Sequence, residues 1–132
     1  MAARVELPHP HLIWLRSAVT LLISAVIGQA GFAAAAIGKR DKSYLVFHAI
    51  GAGVTITLAI ACAICFTVLR RTAGRVLLWL AWLTAAAIVV QFTLGKLEIA
   101  DVHIFLGVLI AMLTTALTSW TYRRPPPTES AG

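Results

Sequence analysis

Charge is scarce in this chain, and acidic charge scarcest. Charged residues make up 12% of 132 residues, with five Asp and Glu against eleven Lys and Arg; a soluble domain carries about 25%. Cysteine occurs twice, at Cys62 and Cys65, too seldom for a secreted disulfide scaffold. Hydrophobic residues reach 60% and mean hydropathy is +0.89, which excludes a soluble enzyme and a disordered regulator. No phosphate-binding glycine loop, nucleophile elbow or HExxH is present. The length allows one domain, residues 1–132. What the chain does have is long apolar runs, so it reads as an integral membrane protein. Its net charge of +6 lies in short segments between those runs and reads as a topology signal rather than a nucleic-acid patch.

Charged residues cut out four apolar runs, Leu12–Ile37, Tyr44–Leu69, Val76–Gly95 and Val102–Thr121, followed by a tail over 122–132. A helix of about 20 residues crosses a hydrocarbon core of roughly 30 Å. Arg16 lies one turn inside the first run, where it can snorkel. The links Gly38–Ser43, Arg70–Arg75 and Lys96–Asp101 are short. They predict antiparallel neighbours and an all-α, up-down four-helix bundle of two similar helical hairpins. Arg4, Arg16, Arg70, Arg71, Arg75, Arg123 and Arg124 fall on one side, against Lys39, Arg40, Lys42 and Lys96 on the other. The positive-inside rule predicts a multi-pass protein of the cell membrane with both termini cytoplasmic. Trp14, Trp79, Trp82, Trp120 and Tyr122 mark the cytoplasmic boundary. A cleavable signal peptide is the competing reading of the first run, with small residues at Ala33–Ala36, but the run is long for such a segment. The tail, with Pro125, Pro126 and Pro127, reads as extended or disordered. His9 and His11 read as a flexible tail ahead of the first span, too few to make a metal site.

Ionisable and polar residues at membrane depth are the first place to look for function. Asp41, Glu98 and Asp101 stand only at the outer boundary, which argues against proton-coupled transport. Two glutamines and two histidines do lie within the spans: Gln29 and Gln91 in the outer parts of spans one and three, His48 and His103 in the outer parts of spans two and four. Spans two and four run in the same direction and are diagonal partners in an up-down bundle. Two histidines at one depth on diagonal helices suit a planar macrocycle with one imidazole on each face of its iron. The stripes His48, Gly51, Thr55, Ala59 and His103, Gly107, Ala111, Thr114 follow helical spacing. Their small residues are expected to leave room for porphyrin, although the same pattern also serves plain helix packing. Lys39, Arg40, Lys42 and Lys96 crown that end and are candidate propionate contacts. Cys62 and Cys65 spell CxxC without a second ligand pair and read as small packing residues.

The order glutamine then histidine occurs in both hairpins. Gln91-Phe92-Thr93-Leu94-Gly95, followed by Asp101-Val102-His103, resembles the Q-x-x-L-G … H pattern of the haem A synthase family. Gln29-Ala30-Gly31 with Phe47-His48-Ala49 resembles a degenerate copy. Members of that family have eight spans in two similar four-helix halves, each presenting histidines from its second and fourth helices. This chain resembles one half along nearly all its length. The catalytic half carries a glutamate one turn before its first histidine, where this chain has Tyr44. It also carries paired histidines in its fourth helix, where Val102 and Ile104 flank a single His103. The resemblance therefore implies the cofactor-holding half, which binds haem b without oxidising it.

The leading expectation is a b-type cytochrome with His48 and His103 as axial ligands, Gln29, Gln91, Gly51 and Gly107 in the pocket, and Lys39, Arg40 and Lys96 near the propionates. Besides membrane lipid, its partner would be a quinone, a respiratory complex or a second copy. A cofactor-free accessory subunit is the structural alternative. Haem modification by a dimer that rebuilds the eight-span form is the third.

Overall fold

The computed structural model describes residues 9–126, and all the regular structure among them is helical: α1 (Pro10–Lys39), α2 (Ser43–Val68), α3 (Arg70–Ala73), α4 (Arg75–Lys96) and α5 (Ala100–Tyr122). Four of these, α1, α2, α4 and α5, are long and apolar enough to cross a membrane. α1, α4 and α5 overrun their apolar stretches by a residue or two at each end, whereas α2 starts one residue early at Ser43 and stops one short at Val68. α1 starts at Pro10, whose fixed φ and missing N–H suit the first helical position. His9 caps it, its Nδ1 accepting from the His11 N–H at 3.2 Å, and His11 Nδ1 lies 3.2 Å from Thr72 Oγ1. His9 and His11 thus belong to the start of α1, not to a flexible tail. The tail from residue 127 lies outside the described residues, as does Arg4.

The link over 70–75 is not a plain loop either. Arg70–Ala73 makes one helical turn, and Gly74 then reverses the chain at φ +80°. The Arg124 guanidinium occupies the space a Cβ on Gly74 would need. At the other end Asp41 accepts from the Ser43 N–H at 2.9 Å as the chain enters α2. That bond holds the Asp41 carboxyl below its ordinary pKa.

α1 packs on α2 and α5, and α4 packs on the same two helices. The buried positions recur every three or four residues: Leu12, Leu15, Val19, Leu22 and Val26 on α1, and Leu77, Ala81, Thr84, Ala85 and Ile88 on α4. Those of α2 (Thr55, Ala59, Cys62, Ala63, Phe66) and α5 (Ile110, Thr114, Leu117, Thr121) face them. The buried positions run from the arginine end as far as Val26, Thr55, Ile88 and Ile110. Beyond these, toward the histidine end, none of the described side chains is buried, and this division positions the site. Cys62 is part of the core and Cys65 packs against it.

Arg16 does not snorkel to lipid. Its guanidinium donates to the main-chain carbonyls of Tyr122 (3.1 Å) and Arg124 (3.4 Å) and lies 5.4 Å from the centre of the Tyr122 ring. The last carbonyls of a helix lack intrahelical donors and carry partial negative charge, so an arginine from a neighbouring helix serves them well. Phe66 is fully buried, and Phe66→Ala should cost about 3 kcal/mol through the cavity it leaves. Trp79 is 71% exposed, and Trp79→Ala should cost less than about 1 kcal/mol. Reversible unfolding in mixed micelles compares the two, and equal losses would refute this placement of the core.

Candidate functional site

The structure brings these glutamines and histidines of the spans together. His48 near the start of α2 and His103 near the start of α5 face each other with ring centroids 6.1 Å apart and planes at 79°. Each ring is tied to the preceding long helix of its own hairpin. His48 Nδ1 lies 3.1 Å from the main-chain oxygen of Gln29, and His103 Nδ1 lies 2.9 Å from that of Gln91. A carbonyl oxygen can only accept, so in the tautomer that makes this bond Nδ1 donates and Nε2 keeps its lone pair; at His48 the Gln29 side-chain nitrogen also stands 3.1 Å from Nδ1. The glutamine side chains return the bond. Gln91 Nε2 donates to the His103 carbonyl at 2.8 Å. Gln29, with its amide nitrogen turned toward the acceptors around it, donates to the His48 carbonyl at 2.8 Å. The two hairpins therefore carry the same reciprocal clamp.

Glycines make the clamps possible. A Cβ on Gly51 would collide with the Gln29 amide, and one on Gly107 would stand 3.1 Å from Gln91 Nε2. The space at Gly51 is therefore filled by glutamine rather than kept for a macrocycle, which corrects the expectation from the stripe. Gly95 has the matching role for the histidine, since a Cβ there would stand 3.0 Å from His103 Cε1. Gly95 closes the Q-x-x-L-G motif, and the sequence offers no sign that its purpose is to admit an imidazole from the next helix.

Between the clamps lies a cavity of about 420 Å³, walled by all four long helices. His48, His103, Gln29 and Gln91 line it together with apolar side chains such as Ile88 and Phe92, and Gly107 borders it. Ligand sites of roughly 300–1,000 Å³ with an apolar wall and a few converging polar groups are the usual form for a small organic guest. The ring spacing allows a more specific test. Two imidazoles on opposite sides of one metal, with metal–nitrogen bonds of about 2 Å and ring centroids about 1 Å behind each nitrogen, stand about 6 Å apart. Among the described residues no group of three or more His, Cys, Asp or Glu could hold a bare ion. A macrocycle brings its own equatorial nitrogens, so two imidazoles and an apolar slot fit it. Gln91 Oε1 is buried with no hydrogen-bond partner, a loose polar end on a residue of the cavity wall.

The basic residues of this end stand outside the wall. Lys39 Nζ donates to Tyr44 Oη at 2.8 Å and lies 5.0 Å from the centre of its ring. Arg40 is the left-handed C-cap of α1, and Lys42 precedes α2. Lys96 lies 5.5 Å from the centre of the Phe92 ring, and Phe92 lines the cavity. Comparison with known proteins adds no relative: no family model matches the chain, and no curated protein or solved structure is significantly similar to it.

Gly→Ala inside a helix ordinarily gains up to about 1 kcal/mol from propensity. Gly51→Ala should instead lose about 1–3 kcal/mol by displacing Gln29. In the Gln29→Ala/Gly51→Ala double variant the loss should be clearly less than the sum of the two single losses. A double-mutant cycle of unfolding in detergent measures the coupling, and strict additivity would show that the two residues do not share the space.

Proposed function

We propose that this chain is a small b-type cytochrome of the cell membrane, an up-down four-helix bundle of two similar hairpins. It would hold one haem b between His48 and His103, for electron transfer or haem handling. One observation carries the reading: two imidazoles, each with its Nδ1 beside a main-chain carbonyl, stand 6.1 Å apart beside an apolar cavity. When bound, haem supplies one-electron chemistry between ferric and ferrous iron. The residues of the chain do the rest. His48 and His103 would hold the haem through their ring nitrogens. The main-chain carbonyls of Gln29 and Gln91 would orient the rings, as outer partners of metal-bound histidines generally do. The apolar wall would limit water around the group, and Lys96, beside Phe92 of that wall, is the cation placed to meet a propionate.

The resemblance to the cofactor-holding half of the haem A synthase family agrees with this reading. Tyr44 in place of a glutamate speaks against haem oxidation by this chain. With both termini in the cytoplasm the histidines lie toward the outer face, and a quinone or a protein partner completes the electron path. A second reading rests on Gly28, Gly31 and Gly53, which are exposed and would meet nothing within 4 Å if given a Cβ. Small residues on an outer helix face suit another helix, as in an accessory subunit of a larger complex.

An absorption spectrum of the detergent-purified protein decides between the two. A Soret band that sharpens with dithionite, with separate α and β bands, is expected. His48→Ala and His103→Ala should each abolish the low-spin signature while helical content by circular dichroism stays unchanged. An unaltered spectrum in either variant would refute the ligand assignment. A colourless protein after expression with added haem would favour the accessory subunit.

A further inference from the structure

The end opposite the histidines carries a second site of different chemistry. Arg71, Thr72, Arg124, Pro125 and Pro126 line a cleft of about 180 Å³. Arg16, Arg70, Arg75 and Arg123 share this end, whereas the acidic residues among those described, Asp41, Glu98 and Asp101, are all at the other. Arg124 is fixed in place. Its Nε donates to the Ala73 carbonyl at 2.9 Å, and its own carbonyl accepts from Arg16 at 3.4 Å. A guanidinium has five N–H donors, so four remain. Arg71 is exposed and makes no side-chain hydrogen bond among the described residues. A second, independent observation sets the depth of the cleft. Trp14, Trp79 and Trp120 are 68%, 71% and 49% exposed and lie at this same end. Exposed tryptophans of membrane helices sit at the level of the lipid headgroups.

We propose that this cleft binds the phosphate of an anionic phospholipid, with Arg71 and the pinned Arg124 donating to its oxygens. Arginine forks match phosphate geometry, and basic pockets between membrane helices are suited to lipid headgroups. The headgroup depth favours a lipid phosphate over a free one, because acyl chains can run down the exposed apolar faces below. The inference does not depend on the haem reading.

The test measures the preference of the full chain for spin-labelled phosphatidylglycerol over phosphatidylcholine in mixed nanodiscs. The natural protein should prefer the anionic lipid. Arg71→Ala should lower that preference about tenfold, as for a lost charge-assisted hydrogen bond. Arg71→Lys, which keeps the charge but not the fork, should fall between the two. Arg123→Ala removes an equal charge that is exposed and outside the cleft, and should change the preference less than about threefold. Because Arg124→Ala also breaks the Ala73 link, Arg71 carries the test. Equal losses at Arg71 and Arg123 would reduce the effect to diffuse surface charge and overturn the cleft. Loss of the preference on adding millimolar inorganic phosphate at constant ionic strength would assign the cleft to free phosphate. No preference in the natural protein would refute the proposal outright.

Discussion

A polar side chain inside hydrocarbon must find its partner within the protein, and this constraint sorts the residues of the four long helices into two kinds. The buried threonines satisfy themselves locally. Thr55, Thr84, Thr114 and Thr121 each donate to the carbonyl four residues back, which lets them sit buried without tying one helix to another. The glutamines and histidines have no such outlet and reach across to a second helix. Gln29 and His48 tie α1 to α2, and Gln91 and His103 tie α4 to α5. Each clamp therefore lies within a hairpin. The cavity lies where the two hairpins meet, and none of these bonds crosses it. A guest that engages both imidazoles would supply the missing connection.

The two ends of the molecule are held in different ways. Lipid chains are as apolar as leucine, so helix association depends on close packing and on interhelical hydrogen bonds more than on hydrophobic burial. At the arginine end both are present. The core from Leu15 to Phe66 is filled. Arg16 joins α1 to the end of α5, Arg124 joins the chain after α5 to α3, and Trp82 donates from α4 to Thr67 on α2 at 3.0 Å. At the histidine end the interior is a cavity, and the hairpins meet through the walls around it.

The sequence makes the spans, the two glutamines and two histidines and their common depth legible, because each follows from counting along a helix. It also makes the glutamine–histidine order of both hairpins legible. What it hides is what stands opposite. The stripe through Gly51 and Gly107 marks a face, but spacing along one helix cannot tell a gap for a macrocycle from a gap for the glutamine of a neighbour. Arg16 is a lone charge one turn inside an apolar run, and its carbonyl partners at Tyr122 and Arg124 lie more than a hundred residues away in the chain. No local rule connects them. His9 and Pro10 read as tail because the apolar pattern begins only at Leu12, although proline and a capping side chain are themselves signals of a helix start.

The two clamps are alike in bonding but not in their distance from the helix ends, and this difference sets the electrostatics of the rim. From Gln29 the first helix runs ten further residues to Lys39, whereas from Gln91 the fourth runs five to Lys96. With the clamps at one level, α1 overhangs α4 by about five residues, or roughly 7 Å at 1.5 Å per residue, while α2 starts five residues before His48 and α5 three before His103. Phe32 and Phe47 stack across α1 and α2 on the first hairpin at 5.7 Å, and Lys39 binds Tyr44 near its tip. The overhang carries Lys39, Arg40 and Lys42 outward, away from the imidazoles, and leaves Lys96 beside Phe92 at the cavity wall. The four cations that the sequence groups together at one end thus stand at two heights. Lys96 stands against Phe92 of the cavity wall, and the other three shape a more distant positive field that attracts anions without fixing their position.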